Sequence, residues 1–263
     1  MEQKKIYYAS DLHLEFEDLN LLKIYEKDIY QDSYLVLAGD ICCYNDKGKF
    51  KTFFEYISKK FKRIIYIAGN HEYYKKTLND DKIIELLKPF QNVYFLQDSY
   101  ITFEEDNITF YGTTLWTRLS ENPQINLMVG SSLNDYKYIR DPDSFKKITR
   151  ELTGEMFEVS FEELKNFLKN KPEGKTIIVS HHLPLYQVIV DKYKDYQLNS
   201  GYASDLHDEL VEFDFDCWIF GHTHFTMRYD LINFMSKSIP FVCNPRGYNS
   251  ENEKFNEDIH ILI

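Results

Sequence analysis

His222 and His224 are the clearest pair of residues in this chain that could bind a metal ion. They lie two positions apart after Gly221, which follows the apolar run at 217–220. Two imidazoles with this spacing, just past a strand, can point into the same space, where neutral ring nitrogens bind metals. An isolated pair of this kind is more often two hydrogen-bonding loop histidines, so its meaning depends on the rest of the chain.

Four earlier apolar runs also end in polar residues that can bind a metal. These residues are Asp11 and His13 after the first run, Asp40 after the second, Asn70 and His71 after the third, and His181 with His182 after a later one. In open α/β sheets, sites assemble in the loops beyond the carboxyl ends of the strands. A glycine precedes the candidate ligands at positions 40, 70 and 222, where it permits a sharp turn and close backbone approach. The pattern therefore predicts one shared site.

The candidate ligands comprise two aspartates, one asparagine and at least four histidines, with no thiolate in register. This set suits divalent manganese, iron or zinc and disfavours calcium or copper(I). Seven ligands are too many for one ion, whereas two ions that share a bridging carboxylate would use them all. Two neighbouring ions lower the pKa of a bridging water and hold anionic oxygens during displacement at phosphorus. Hydrolysis of a phosphate ester is the chemistry that these residues favour.

The elements that must position these residues follow an α/β pattern of short apolar runs separated by helical stretches. Strands are predicted at 5–9, 34–38, 63–68, 93–96, 108–111, 176–180, 217–220 and 258–263. A one-sided apolar stripe predicts a helix at 50–61. Pro142 is suited to the first turn of a long helix reaching about residue 168. Shorter helices are predicted at 80–88 and 204–213.

No Pro/Gly-rich linker or internal repeat divides the chain, so residues 1–263 are predicted to form one domain. The segment at about 116–171 is the main interruption between strands. We expect it to form a cap or an excursion near the site. Residues 116–118 and 134–136 within it are candidates for the substrate entrance.

Composition and charge limit the partners of the protein. With 263 residues, 43% of them hydrophobic, the chain can bury a sizeable core. The net charge of −11 opposes non-specific attraction to nucleic acid or to an anionic membrane. The first five residues run straight into a strand without an apolar segment, which predicts a cytoplasmic protein with no membrane span. The four cysteines show no metal-binding spacing and are expected to be buried thiols.

The order of these motifs resembles the calcineurin-like metallophosphoesterase superfamily, whose pattern is D-x-H, G-D-x-x-D, G-N-H-[DE], a histidine and G-H-x-H. The matching residues are Asp11 to His13, Gly39-Asp40, Gly69 to Glu72, His181 and Gly221 to His224. The match extends over about 215 residues. The resemblance implies a two-sheet β-sandwich flanked by helices.

The resemblance also implies a role for each matching residue. One metal would be bound by Asp11, His13, Asp40 and His224, and the second by Asp40, Asn70, His181 and His222, with a hydroxide bridging the two. His71 would be the general acid, with Glu72 placed to influence its orientation and basicity. The substrate would be a small phosphorylated compound or a nucleotide.

Three positions depart from the family pattern or have more than one possible role. Cys43 stands where the family has a second aspartate after Gly39-Asp40, which weakens a supporting contact more than the metal set. His181 is favoured over His182 as the ligand because it directly follows the strand, which leaves His182 a candidate for metal or substrate contact. Arg246 near the end of the chain could face a phosphate with its planar fork or be a surface arginine in a turn.

Two other functions remain open at this point. A nuclease of the same superfamily would need a cationic groove, and the basic stretch at 59–63 is typical of an ordinary helix end. A non-catalytic interaction scaffold is a second alternative. Scaffolds of this fold tend to lose metal ligands and the general acid, whereas the residues that match the family's metal ligands and general acid are all present in this chain.

Overall fold

A computed structural model of the protein describes residues 3–17 and 24–263. Within them, two β-sheets pack face to face. The first sheet has the order β11-β1-β2-β3-β4. Its strands are β1 (Lys5–Ala9), β2 (Tyr34–Ala38), β3 (Arg63–Ile67), β4 (Val93–Phe95) and β11 (His260–Leu262). Strands β1 to β4 are parallel, and β11 pairs antiparallel with β1 at the edge.

The second sheet has the order β5-β6-β7-β8-β10-β9. Its strands are β5 (Ser99–Phe103), β6 (Ile108–Thr113), β7 (Lys175–Ser180), β8 (Cys217–Ile219), β9 (Met227–Ile232) and β10 (Ser238–Cys243). The four central strands are parallel, and both edge strands pair antiparallel with their neighbours. The carboxyl ends of the parallel strands therefore lie together along one edge of each sheet.

The strands of the first sheet are continuous apolar runs in the sequence because both faces of that sheet are buried. In β1, Tyr7 packs toward the helices whereas Tyr8 packs into the space between the sheets. Neighbouring residues Leu35 and Val36 in β2 divide in the same way. Because successive side chains point to opposite faces and both faces are covered, the buried positions of such a strand are apolar on both faces.

Helices cover the outer faces of the two sheets. They are α1 (Lys47–Ile57), α2 (Asp80–Leu87), α3 (Pro123–Ser132), α4 (Asp135–Tyr138), α5 (Arg150–Asn170) and α6 (His207–Leu210), with short 3₁₀ turns between them. The phenylalanine stripe of α1 is buried as predicted. The two-sheet sandwich flanked by helices is confirmed. All four cysteines are buried and free, which confirms that expectation.

The long helix α5 starts later than the sequence predicts. Asp141 accepts hydrogen bonds from the backbone N–H of Asp143 and Ser144, and Phe145 has a left-handed φ of 58°. This local turn competes with a helix. The helix begins only at Arg150, where the side chain of Thr149 caps it by accepting a bond from the N–H of Leu152.

The segment at 116–171 divides into two parts in the structure. Helix α5 packs along the second sheet, where Phe167 stacks on Tyr111 with ring centroids 4.9 Å apart. Residues 132–135, where α3 ends and α4 begins, instead line a cavity. None of the helices in the described ranges combines the length and the apolar character needed to cross a bilayer.

Candidate metal centre

Asp11, His13 and His224 form one cluster of ligand atoms at the carboxyl ends of β1 and β8. The Nε2 atoms of His13 and His224 lie 3.0 Å apart. Oδ1 of Asp11 lies 3.3 Å from the His224 Nε2 and 4.0 Å from the His13 Nε2. Asp11 and His13 are buried. Three ligand atoms thus converge on one point, as a metal site requires.

Asp40, Asn70, His181 and His222 form a second cluster, which takes residues from both sheets. The His181 Nε2 lies 3.0 Å from the Asn70 Oδ1, 3.1 Å from the His222 Nδ1 and 3.5 Å from the Asp40 Oδ1. Metal bonds of about 2.1 Å at tetrahedral or octahedral angles produce separations of this size between ligand atoms. The donor set therefore fits a divalent metal ion.

Asp40 lies between the two clusters. Its Oδ1 faces His181 at 3.5 Å, and its Oδ2 lies 3.9 Å from the Nε2 of His13. The carboxylate is buried, and its Oδ1 also accepts the backbone N–H of His71 at 2.7 Å. One carboxylate thus presents an oxygen to each cluster, which is the arrangement that a bridging ligand needs.

Hydrogen bonds orient three of these side chains toward the clusters. The Nδ1–H of His181 donates to the carbonyl of Ala38 at 2.9 Å, so its Nε2 points into the second cluster. The Nδ1 of His224 likewise contacts the carboxylate of Glu251, which leaves its Nε2 facing the first cluster. Asn70 donates its Nδ2 to Asp135 at 2.7 Å, which leaves Oδ1 turned toward His181.

The backbone at these positions is unusual. Asp11, His13, Asp40, His222 and His224 all have positive φ values, between 48° and 67°. Such conformations are uncommon for residues with a side chain and cost about 1–3 kcal/mol each when strained. Their concentration in these loops indicates that the surrounding fold holds the side chains in place against local preference.

The electrostatics of the clusters favour added positive charge. Burial opposes the charged form of His181, yet the nearby carboxylates of Asp40 and Asp11 raise its pKa to about 10. Burial likewise opposes charge on His224, but Asp11 and Glu251 raise its pKa to about 9. The carboxylates therefore hold protons on these histidines, and divalent ions would supply the positive charge and release those protons.

His71 lies beside the clusters and lines the cavity. Its Nδ1 is 3.0 Å from Oε1 of Glu15, and its Nε2 is 2.9 Å from the hydroxyl of Tyr248. Its ring stacks on Tyr74 with centroids 3.9 Å apart. Burial lowers the pKa of His71, but the carboxylates of Asp40 and Glu15 outweigh that effect and raise it.

Glu72 does not contact His71, contrary to the expectation that it orients that imidazole. Its buried carboxylate accepts backbone N–H groups from Asp40, Ile41 and Gly69, at 2.7–2.9 Å, together with the hydroxyl of Tyr66. Burial and the charge of Asp40 raise the pKa of Glu72 to about 7. Glu72 therefore fixes the loops that carry Asp40 and Asn70, and Glu15 takes the position beside His71.

Neither Arg246 nor His182 lies in the cavity lining. The guanidinium of Arg246 is buried and pairs with Glu17 at 2.9 Å, so it is not directed at the clusters. His182 directs its Nδ1 at the carbonyl of Thr114 and packs between Trp116 and His222. Burial and the charge of His181 lower the pKa of His182 to about 3, which suits a neutral packing residue.

A cavity of about 560 Å³ opens beside the clusters. Asp40, Asn70, His71, His222 and His224 form part of its lining. Of the two stretches predicted at the substrate entrance, Asn134 and Asp135 line the cavity. Tyr136 and Trp116 are buried in the core instead. A volume of this size is sufficient for a small organic ligand.

A family model described as calcineurin-like phosphoesterase matches residues 4–225. The chain belongs to the calcineurin-like phosphoesterase family. The chain is 32% identical to uncharacterized protein L509 of Acanthamoeba polyphaga mimivirus, over 97% of this chain and 95% of that one. Its fold is similar to that of a phosphopantetheinyl hydrolase from Mycobacterium tuberculosis, with a TM-score of 0.70 and 15% identity over 100% of this chain and 96% of the other.

Membership of the calcineurin-like phosphoesterase family makes this chain a hydrolase of phosphate esters, and its Asp and His clusters are the candidate metal-binding groups. The supporting roles of four side chains were not predicted from the sequence: those of Glu15, Asp135, Tyr248 and Glu251, of which Asp135 was expected only at the substrate entrance. Glu15 was detectable only by its closeness to His13, two residues earlier, since it lies in the 3₁₀ turn Leu14–Phe16. The other three come from distant parts of the chain and carry no local signal.

Proposed function

We propose that the protein is a dinuclear metal-dependent phosphoesterase that acts on a small phosphorylated compound or a nucleotide. The observation that carries the proposal is the placement of Asp40, with one carboxylate oxygen toward each cluster. Asp11, His13 and His224 would hold one ion, and Asn70, His181 and His222 the other, each sharing Asp40. Manganese, iron and zinc suit these ligands.

Individual side chains would then have separate roles in hydrolysis. When bound, the two ions would hold the phosphate oxygens and lower the pKa of the attacking water. His71, with Nδ1 held by Glu15, would deliver a proton from Nε2 to the departing alkoxide. Tyr248, hydrogen-bonded to that nitrogen, would keep the imidazole facing the cavity.

Charge distribution supports a small substrate over a nucleic acid. The basic stretch at 59–63 is neutralised in the structure: Lys59 pairs with Glu55, Lys60 with Asp28, Lys62 with Asp106, and Arg63 with Glu105. A nuclease would need free cations to bind the phosphate backbone. Duplex DNA binding that weakens steeply with salt in a gel-shift titration would instead favour the nuclease.

Metal content and turnover of the Asp40→Asn variant test the proposal. The wild-type protein, loaded with manganese, iron or zinc, should contain two metal equivalents per chain by elemental analysis. The variant keeps the shape of the side chain but removes the shared charge, so it should fold normally and lose turnover of mono- and diester nitrophenyl phosphates. Wild-type activity in the variant, or at most one metal equivalent in the wild type, would contradict the proposal.

A further inference from the structure

One wall of the cavity is a series of aromatic rings that starts at His222. The Tyr202 ring lies 5.5 Å from the His222 ring, and Tyr196 lies 6.3 Å from Tyr202, both measured between centroids. Tyr193 follows at 6.5 Å and Phe225 at 6.3 Å beyond it. We call Tyr193, Tyr196, Tyr202 and Phe225 the aromatic wall. It lines the cavity from the second cluster to Phe225, the residue that follows His224 in the sequence.

The aromatic wall is held by its backbone more than by burial of its rings. The Nδ2 of Asn199 donates to the carbonyls of Tyr193 and Lys194 at 2.8 and 3.1 Å. The carbonyl of Tyr202 accepts the N–H of Leu183 at 3.2 Å. Two of the rings stay open, since Tyr193 is 46% and Tyr196 47% exposed, whereas Tyr202 and Phe225 are half-buried. Large apolar surface left open inside a cavity marks a place that a ligand covers.

Tyr196 and Tyr202 are the rings of the aromatic wall that are available for stacking. The Lys192 ammonium lies over the other two rings, 4.5 Å from the Tyr193 centroid and 4.4 Å from that of Phe225. In the part of the chain that the structure describes, no such cation covers Tyr196 or Tyr202. Because Tyr202 lies beside His222, a flat group attached to a phosphate at the clusters could stack on these two rings.

We propose that the site selects phosphate esters whose organic group carries an aromatic ring, such as a nucleobase, and that Tyr196 and Tyr202 form the stacking surface. This inference rests on the proposed phosphoesterase function. Aromatic rings suit such a role because every base presents a flat π-face, so that stacking strengthens binding without fixing which base is bound. The phosphate would bind at the clusters and the ring against the aromatic wall.

Competitive inhibition by two matched phosphates tests the inference on the manganese-loaded protein. Adenosine 5′-monophosphate and ribose 5-phosphate carry the same phosphate on the same sugar carbon, and only the first has a base. Each is titrated against whichever nitrophenyl ester the protein hydrolyses, so the readout serves a monoesterase and a diesterase alike. The inhibition constant of the nucleotide should be lower by about tenfold or more.

Substitutions at Tyr196 separate stacking from general effects. Tyr196→Leu should raise the inhibition constant of the nucleotide toward that of ribose 5-phosphate and leave the latter unchanged, whereas Tyr196→Phe, which keeps the ring, should retain the discrimination. Tyr100→Leu is the matched control, because Tyr100 is 54% exposed on β5, packs on Phe167 and lies outside the cavity lining. It should behave like the wild type.

The possible failures are distinguishable. Hydrolysis of a nitrophenyl ester with equal inhibition by both phosphates, or an equal effect of Tyr196→Leu on both, would overturn the inference and leave the proposed function standing. Failure to hydrolyse any nitrophenyl ester with two metal equivalents bound would overturn the proposed function, and the inference with it.

Discussion

His71 is held at both ring nitrogens, by Glu15 on one side and Tyr248 on the other, so its role can be tested separately from metal binding. We expect His71→Ala to keep the full metal content because His71 is not one of the proposed metal ligands. Turnover of an ester with a poor leaving group should fall by about 10²- to 10⁴-fold. The loss should be smaller for a nitrophenyl ester, whose leaving group departs with little help from a proton.

Steady-state kinetics on an alkyl and a nitrophenyl phosphate, with elemental analysis of the same preparations, checks this prediction. Equal losses on both substrates would assign His71 to positioning of the substrate. Loss of a metal equivalent would make it a ligand.

Glu15 is predicted to act through His71. In Glu15→Gln the side chain keeps its length but loses the charge that holds Nδ1–H of His71 at 3.0 Å. We expect turnover of the alkyl phosphate to fall by roughly 10- to 100-fold, in the range that outer-shell partners contribute. Because both residues would serve one proton transfer, adding Glu15→Gln to His71→Ala should cause little further loss.

A double-mutant cycle of kcat measures this dependence. Fully additive losses would show that Glu15 acts elsewhere, for instance on His13, whose Nδ1 lies 3.6 Å from the same carboxylate oxygen. Glu251→Gln offers a comparison, since Glu251 contacts His224 and not His71. It should change metal affinity more than leaving-group dependence.

Residue patterns predicted which side chains would meet, but not what supports them. Asp11, Asp40 and His181 follow strands whose apolar character is plain in the sequence, and parallel strands bring their ends together. Glu72 belongs to the same motif, yet its position next to His71 along the chain said nothing about direction. The 3₁₀ turn at His71–Tyr73 turns its carboxylate to backbone amides instead. The direction of Arg246 was not predictable either, because its ion pair with Glu17 is a tertiary contact that the local sequence does not show.

At the scale of elements, the turn after β2 is a tightly constrained link between the sheets and the clusters. Gly39 has a φ of 83°, and a Cβ built there would lie 2.5 Å from the Nδ1 of His181 and 2.7 Å from the backbone N of Gly69. Gly39→Ala should therefore lower the free energy of unfolding by about 2 kcal/mol or more and weaken metal binding. The affected contact is the one between the two sheets.

Gly48→Ala is the matched control for this substitution. Gly48 lies in α1, where a Cβ would meet only the Asp46 Oδ1 at 3.8 Å. Alanine is the better helix former, so the change should be neutral or stabilise the protein by up to about 1 kcal/mol. Urea unfolding of both variants checks the pair, and equal effects would contradict the proposed crowding at Gly39.

Element boundaries were predictable where periodicity was strong and failed where a local turn intervened. Most of the parallel strands were found from their continuous apolar runs, and α1 was found because its apolar positions repeat with the helical period. The start of α5 was misplaced because Pro142 is compatible with a first helical turn, and the competing Asp141 turn depends on side-chain hydrogen bonds. Strands β5, β9 and β10 were missed: β5 and β9 are partly exposed, and β10 is interrupted by Pro240, which is unusual inside a strand.

At the scale of the whole molecule, the clusters join the two sheets. Asp11, Asp40 and Asn70 follow strands of the first sheet, whereas His181 and His222 follow strands of the second. Unfolding separates all of these ligands, so bound ions favour the folded state only. At a free metal concentration of about 100 times the dissociation constant, the stabilisation is about 2.7 kcal/mol per site.

For a chain of 263 residues this corresponds to a rise in Tm of roughly 5 to 10 °C for one occupied site. We therefore predict that manganese loading raises Tm by at least that amount relative to chelator-treated protein, and that the rise shrinks in Asp40→Asn because both ions lose their shared ligand. Calorimetry with parallel elemental analysis makes the comparison. Unchanged Tm despite bound metal would mean that the ions bind on the surface, away from the junction of the two sheets.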